Sequence, residues 1–305
     1  MADWAGLVLA GGRSARMGTP KAALEWHGST LLRRTVGIVA RATGGPVVVV
    51  RARGQHLPSL PAGTVVVDDP RDGKGPVQGI AAGLAALAAL GGQAGLGGQA
   101  EAAFVSSVDL PFLHPGFIRY VLGALDADGA DVALPVARGY RQPLAAGYRV
   151  SLAETAERLV RADRLRPAFL FDECVVTTID EARLRRDPLL AAFDPELDSV
   201  RNVNSPDDYR AARLADAPEV TVGVDSSLER ACRRAGPLTV RTATVRGAAD
   251  AVGLTFGRPA IAAVNGDWIT TDGETPLATG DIVVFSSSAG LSADVSGGLS
   301  ADSGG

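Results

Sequence analysis

Lysine is almost missing from this chain. Of its 30 basic residues, all but Lys21 and Lys74 are arginine. Cysteine is too scarce for a disulfide framework: Cys174 and Cys232 lie far apart and form no metal-spaced set, which suits a reduced, cytoplasmic setting. The three histidines, His27, His56 and His114, are scattered, with no zinc spacing. Positive charge is not in excess; the net charge of −4 gives no reason to expect nucleic-acid binding. No apolar run is long enough to span a bilayer, and the first apolar run follows Met1 too closely for a charged leader with a cleavage site. What remains is ordinary for a globular protein with a sizeable core: 46% hydrophobic and 21% charged residues over 305 positions, a length that suggests two domains.

Both lysines fall in glycine-containing loops that follow apolar runs. The first loop organises the chain. Leu7 to Ala10 reads as a buried strand, and it ends in Gly11-Gly12-Arg13-Ser14-Ala15-Arg16-Met17-Gly18-Thr19-Pro20-Lys21. In open α/β sheets, ligands bind at this carboxyl edge. Glycines let backbone N–H groups approach a polyphosphate, and Arg16 and Lys21 can supply charge. It is not a Walker loop, because Gly12 and Gly18 are six apart and Thr19 follows; the dinucleotide fingerprint is absent too.

The pattern predicts a strand from Trp4 to Ala10, then a helix capped by Ser29 or Thr30 running to about Arg41 and ended by Gly44-Gly45. Val47 to Val50 reads as a buried strand, too apolar for a sheet with a wet face, and Thr64 to Val67 as a third strand, with Asp68-Asp69-Pro70 at its end. A helix follows from Val77 to about Leu90. Residues 91–99 are Gly/Gln/Ala-rich and repeat, which predicts a flexible insertion. Phe104 to Val108 is a strand ending in Asp109-Leu110-Pro111. Strands are expected at Val132 to Val136 and Pro143 to Tyr148, as a hairpin around Gly139. Helices follow at Ser151 to Arg161 and Arg166 to Leu170, and a strand at Val175 to Ile179. Ser205 with Pro206 starts a last helix to Asp216. The alternation predicts a doubly wound, Rossmann-like, mostly parallel α/β sheet over residues 1–216. Beyond Ala217-Pro218, strands at Glu219 to Val224, Leu238 to Val245, Ala260 to Asn265 and Ile282 to Ser286, with a helix at Gly247 to Leu254, predict a small α+β unit over 219–290. Residues 291–305 form a Gly/Ser-rich repeat that cannot bury anything.

The stretch Leu-Ala-Gly-Gly-x-Ser-x-Arg-Met-Gly-x-x-Lys resembles the opening of the molybdenum cofactor guanylyltransferases. The resemblance extends over most of residues 1–216, through Asp69, Gly75-Pro76-x-x-Gly79, Asp109-x-Pro111 and Val203-Asn204. It implies that Leu9, Ala10, Gly11 and Gly12 hold the nucleotide, with Arg51 and Asp69 close to it. It implies that Lys21 contacts phosphates, that Asp109 binds Mg²⁺, and that Asn204 is a second metal-side ligand. The implied reaction carries GMP from Mg²⁺–GTP to the phosphate of molybdopterin, with Arg16 and Lys21 stabilising the departing pyrophosphate. Gly79, Gln142, Pro143 and Asn202 are the pterin-pocket candidates. Where this family often has asparagine after the second strand, this chain has Arg51, so the choice of base is open between guanine and a cytidylyl relative. Gly12 favours the larger purine. Asn204 also fits an Asx-type turn before Ser205-Pro206.

Residues 219–290 resemble β-grasp (ubiquitin-like) sulfur carriers of molybdopterin and thiamin synthesis, through Ala263-Val264-Asn265-Gly266-Asp267 and Thr275 to Phe285. Those carriers end in Gly-Gly, whose carboxylate becomes a thiocarboxylate. This chain ends in Gly304-Gly305, but Ala289-Gly290 occupies the family's position and a further tail follows. A carrier charged at Gly305 and a docking module for sulfur-transfer or molybdoenzyme-maturation proteins both fit. Two other readings stay open: a sulfur carrier whose nucleotide domain is a scaffold, and a plain α/β binding protein.

Overall fold

The computed structural model describes residues 4–11, 20–71, 75–91, 100–226, 228, 232, 237–257 and 260–287. Along the chain run β1 (Trp4–Leu9), a short hairpin of β2 (Glu25–Trp26) and β3 (Ser29–Thr30), α1 (Leu31–Thr43), β4 (Val47–Arg51), β5 (Val65–Asp68), α2 (Pro76–Gly91), β6 (Ala102–Ser107), α3 (Pro115–Ala127), β7 (Val132–Ala137), β8 (Tyr140–Arg141), β9 (Ala145–Arg149), α4 (Ala153–Arg161), α5 (Pro167–Phe171), β10 (Val176–Ile179), α6 (Glu181–Arg185), α7 (Pro188–Phe193) and α8 (Pro206–Leu214).

β1 is apolar on both faces because both faces are covered. Strand side chains alternate: Leu7 and Leu9 join a core with Ile80, Leu84 and Leu87 of α2 and Leu159 of α4. Gly6 turns the other way, and a Cβ there would stand 2.3 Å from Val39 Cγ1 of α1. The sheet order is β10-β7-β9-β6-β1-β4-β5, with β8 added beside β7. β1 runs parallel to β4 and β6, β5 runs parallel to β4, and β10 parallel to β7. β9 is antiparallel to both β6 and β7. The expected mostly parallel sheet is therefore present, with helices on both faces and two reversed strands, β9 within it and β8 beside β7. The loops after β1 and β6, central neighbours, open at the same edge.

Local chemistry sets the element ends. Thr30 caps α1 by accepting from Arg33 N, and Gly44 ends it in the left-handed region at φ 70°. Ser205 and Asp208 form a capping box at α8, with Pro206 in the first turn. Residues 115–127, unassigned from the pattern, form α3. Phe117, Ile118, Val121, Leu122 and Leu125 lie at helical spacing and are buried, but Gly116 and Gly123 dilute the signal. The hairpin expected around Gly139 forms between β7 and β8, while β9 pairs deeper in the sheet between β7 and β6.

Gly44 and Gly45 give a test of this packing. An added Cβ at Gly45 would lie 2.0 Å from the Trp4 carbonyl oxygen, whereas at Gly44 it would meet nothing within 4 Å. Gly44→Ala is expected to cost about 1 kcal/mol, from the positive φ alone. Gly45→Ala is expected to cost more, about 3 kcal/mol, because a backbone oxygen cannot step aside as a side chain can. Urea unfolding midpoints of the two variants measure the difference.

The chain divides into two compact units, Met1–Ala215 and Asp216–Gly305. The second contains β11 (Glu219–Val224), β12 (Leu238–Arg241), α9 (Val245–Ala251), β13 (Ala260–Val264), β14 (Trp268–Thr270) and β15 (Ile282–Ser287). Its sheet order is β12-β11-β15-β13-β14, with β11 and β15 parallel at the centre. Val245, Ala248 and Ala249 of α9 pack on Val220, Val222, Val283 and Phe285. Val245, expected at the end of a strand, instead opens α9, because Thr244 Oγ1 accepts from Gly247 N and starts the helix early. The two signature stretches meet: Asn265 donates from Nδ2 to Asp281 Oδ1 at 2.8 Å and accepts from Ile282 N at 2.8 Å. The insertion at 92–99 and the segment 288–305, with Ala289, Gly290 and Gly305, lie outside the described residues.

Candidate active site

Three loops converge at the carboxyl edge of the first sheet. Lys21 stands at the end of the loop after β1, Asp109 just after β6, and Asn204 just before α8. Lys21 Nζ donates to Asp109 Oδ2 at 2.9 Å and to Asn204 Oδ1 at 2.9 Å. The other carboxylate oxygen, Asp109 Oδ1, accepts from Ser107 Oγ at 2.5 Å. Val203 N donates to the Asp109 carbonyl at 2.9 Å, which ties the β6 loop to the chain entering α8. Asn204 is also held at its backbone, its N–H donating to Asp208 Oδ2 at 3.1 Å. The side chains of Lys21 and Asp109 are 20% and 11% exposed, so their pairing is neither fully screened nor fully desolvated.

Behind these loops sits a stack of rings and guanidinium groups. Arg34 of α1 is buried, donates from Nε to the Pro111 carbonyl at 2.6 Å, and lies 4.3 Å over the Trp26 ring. Trp26 meets Phe112 edge to face at 5.6 Å and donates from Nε1 to the Ala212 carbonyl of α8 at 2.9 Å. Tyr209 Oη donates to the Glu25 carbonyl at 2.6 Å. The β2–β3 hairpin thus braces the loop that carries Asp109 and the helix that follows Asn204. None of Ser107, Trp26 or Arg34 carries a sequence signal for this role. Ser107 shows only as a polar residue ending an apolar strand.

Leu9 is the last residue of β1 and is buried. Ala10 N and Gly11 N both donate to the Val50 carbonyl, at 2.8 and 3.2 Å. A Cβ on Gly11 would come within 3.1 Å of Ala52 N, so the turn passes close to the β4 loop. Gln55, unremarked in the sequence, bridges the same two loops: its Nε2 donates to the Ala10 carbonyl at 3.1 Å and its Oε1 accepts from Ala52 N at 3.0 Å. Arg51 is held by Asp68 through Nε at 2.7 Å and by the Gln55 carbonyl through Nη1 at 3.2 Å. Asp69 Oδ1 accepts from Gln78 Nε2 at 2.5 Å and from Arg71 N at 3.1 Å, which links the β5 loop to α2. Gly12, Arg16 and Lys74 lie outside the described residues.

A cavity of 590 Å³ adjoins this cluster, and its wall includes Ser107, Gln142, Pro143, Asn202 and Asn204. Three of the four pterin-pocket candidates therefore share one cavity with a metal-ligand candidate. Gly79 lies elsewhere: it is buried in α2, where a Cβ would meet Leu9 Cδ2 at 3.1 Å, so its small size serves the closure of α2 onto β1. Arg138, Arg141 and Arg201 add guanidinium groups to the wall. Arg138 is fastened by Asp198 Oδ1 at 3.1 Å and by the Glu196 carbonyl at 3.2 Å.

The donor chemistry fits Mg²⁺. Asp109 Oδ2 and Asn204 Oδ1 are hard oxygen donors that already converge on one cation, the Lys21 ammonium. Among the described residues there is no cluster of three or more His, Cys, Asp or Glu suited to a metal. Mg²⁺ needs none, because it commonly takes one or two protein oxygens and completes its shell with water and phosphate.

Asp194, just after α7, is buried. Its carboxylate accepts from Asp198 N at 2.7 Å and from Ser199 N at 3.3 Å. Burial nevertheless pushes its pKa up to about 6, against the opposing pull of its bonds from Ser199 and Asp198. The folded protein therefore keeps this proton over a range in which the unfolded chain has lost it. Stability is expected to fall by about 3 kcal/mol as pH rises from about 4 to 6, and this contribution is level above that. In Asp194→Asn this fall should vanish, so the difference between the two stability–pH curves, measured by urea unfolding, isolates it.

Residues 6–179 match the family described as MobA-like NTP transferase domain. A protein of Mycobacterium avium named probable molybdenum cofactor guanylyltransferase is 35% identical over 215 residues, covering 70% of this chain and 96% of its own length. Another so named, from Mycobacterium bovis, is 38% identical over 170 residues, covering 55% of this chain and 79% of its own. The solved structure of molybdopterin-guanine dinucleotide biosynthesis protein A from Archaeoglobus fulgidus shares the fold. Its TM-score is 0.53 at 22% identity, over 68% of this chain and 96% of that one.

Proposed function

Since the chain belongs to the MobA-like NTP transferase family and is thus a nucleotidyltransferase, we propose that it transfers GMP from Mg²⁺–GTP to the phosphate of molybdopterin and releases pyrophosphate. The observation that carries this reading is the meeting of Lys21, Asp109 and Asn204 beside the cavity lined by Gln142, Pro143 and Asn202. The name shared by the relatives supports guanine.

An acceptor phosphate oxygen forms a bond to the α-phosphorus as the bond to the bridging oxygen of the β-phosphate breaks. The acceptor is a phosphate monoester, ionised near neutral pH, so it needs no general base. The residues supply alignment and charge. Leu9, Ala10, Gly11 and Gly12 hold the nucleotide, with Arg51 and Asp69 at its rim. Asp109 and Asn204 would hold Mg²⁺, which would offset negative charge on the triphosphate. Lys21, with Arg16, stabilises charge on the departing pyrophosphate. Gln142, Pro143 and Asn202 face the acceptor. Among the described residues no helix is long and apolar enough to cross a membrane.

The test mixes purified protein, Mg²⁺, molybdopterin and either GTP or CTP, and looks for the dinucleotide by mass spectrometry. Product with GTP is the expected result. Product with CTP alone would make the protein a cytidylyltransferase, and no product with either would remove this activity.

For the second unit, the strand order and the parallel central pair β11 and β15 support a β-grasp domain. We infer for it a docking role toward sulfur-transfer or molybdoenzyme-maturation proteins, with sulfur carriage at Gly305 as the second reading. A thiocarboxylate at Gly305 in protein purified from its native host would establish carriage; its absence under every growth condition leaves the docking module.

A further inference from the structure

The Lys21 ammonium sits where the two candidate metal donors converge, and we propose that it competes with the divalent cation for that place. Metal binding at Asp109 and Asn204 is then coupled to nucleotide binding: the site opens only when phosphate oxygens draw the ammonium away. This rests on the assignment of Asp109 and Asn204 as metal donors made above.

Lys21 Nζ lies 2.9 Å from Asp109 Oδ2 and 2.9 Å from Asn204 Oδ1, so one amine nitrogen engages both oxygens. Ser107 Oγ holds the other carboxylate oxygen, Oδ1. Among the described residues, the oxygen that faces Asn204 is therefore the one that Lys21 holds. An ammonium and a divalent ion cannot both occupy the place between those two oxygens, because there they overlap in space and repel in charge. Lysine suits such an exchange better than arginine would. Its charge is compact and its stem flexible, so it can leave one partner for another, whereas a planar guanidinium is shaped for fixed bidentate pairing.

The consequence is a binding order. Without nucleotide the ammonium neutralises Asp109, and a free divalent ion gains little by displacing it. A triphosphate offers Lys21 a partner richer in charge, and the metal carried on that triphosphate finds its two protein oxygens released. Coupling of this kind is reciprocal, so whatever strengthens one binding event strengthens the other.

The test uses the full chain, free of nucleotide, with Mn²⁺ alone as the probe. Binding is read from loss of the free Mn²⁺ signal in electron paramagnetic resonance. Lys21→Met should bind one Mn²⁺ about tenfold or more tightly than wild type. Lys21→Arg should stay as weak as wild type. Adding Asp109→Asn to Lys21→Met should abolish the gained binding. Equal Mn²⁺ affinity in wild type and Lys21→Met, or a gain that survives Asp109→Asn, would overturn the proposal. Lys21→Gln serves in the same role should the methionine variant fail to fold. The readout needs neither GTP nor acceptor, so it stands apart from the choice of nucleotide or product.

Discussion

Replacing Asp109 by asparagine is expected to lower nucleotidyl transfer by about a thousandfold or more and to leave the protein folded. The side chain is nearly isosteric, and the backbone bond from Val203 N to the residue 109 carbonyl does not depend on it. Ser107 keeps an oxygen to donate to. What disappears is the negative charge that balances Lys21 and would hold the metal. Single-turnover product formation at saturating GTP, beside a thermal melt, measures both halves. A rate within tenfold of wild type, with an unchanged melt, would separate Asp109 from the chemistry.

The second large effect is expected at Lys21. Lys21→Met should reduce kcat/KM for GTP by about a hundredfold to a thousandfold, the range seen when one charged transition-state contact is removed. The loss should fall mainly on kcat, because charge builds on the pyrophosphate as the bond breaks. Lys21→Arg should recover little, since a guanidinium does not reproduce a compact ammonium placed between two oxygens. Steady-state kinetics across GTP concentrations separate the two parameters. A change confined to KM would make Lys21 a ground-state anchor only.

The alternation of strands and helices and the place of the aspartate after β6 were legible because each is a local pattern. Val47 to Val50 announced a buried strand by lacking a polar face, and Ser205-Pro206 announced the start of α8. The bracing behind the site was not legible. Arg34 looks like one more basic residue on a helix, and only the fold brings it against Trp26 and the Pro111 carbonyl. Gln55 likewise becomes meaningful only when the β4 loop comes to lie beside Ala10. Gly79 shows a second role that its motif does not reveal: a Cβ there would meet Leu9, so its smallness also serves packing.

The reversed strand β9 has a wider consequence. Because it enters the sheet against the direction of β6, the segment 138–144 is delivered to the same edge as the loops after β1 and β6. That segment reaches the cavity from the flank, without passing through the registers of β1, β4 and β5. If, as proposed, this cavity takes the acceptor and the loop after β1 the donor, the two can change independently: exchanging a few exposed residues of one hairpin would alter the first and leave the second intact.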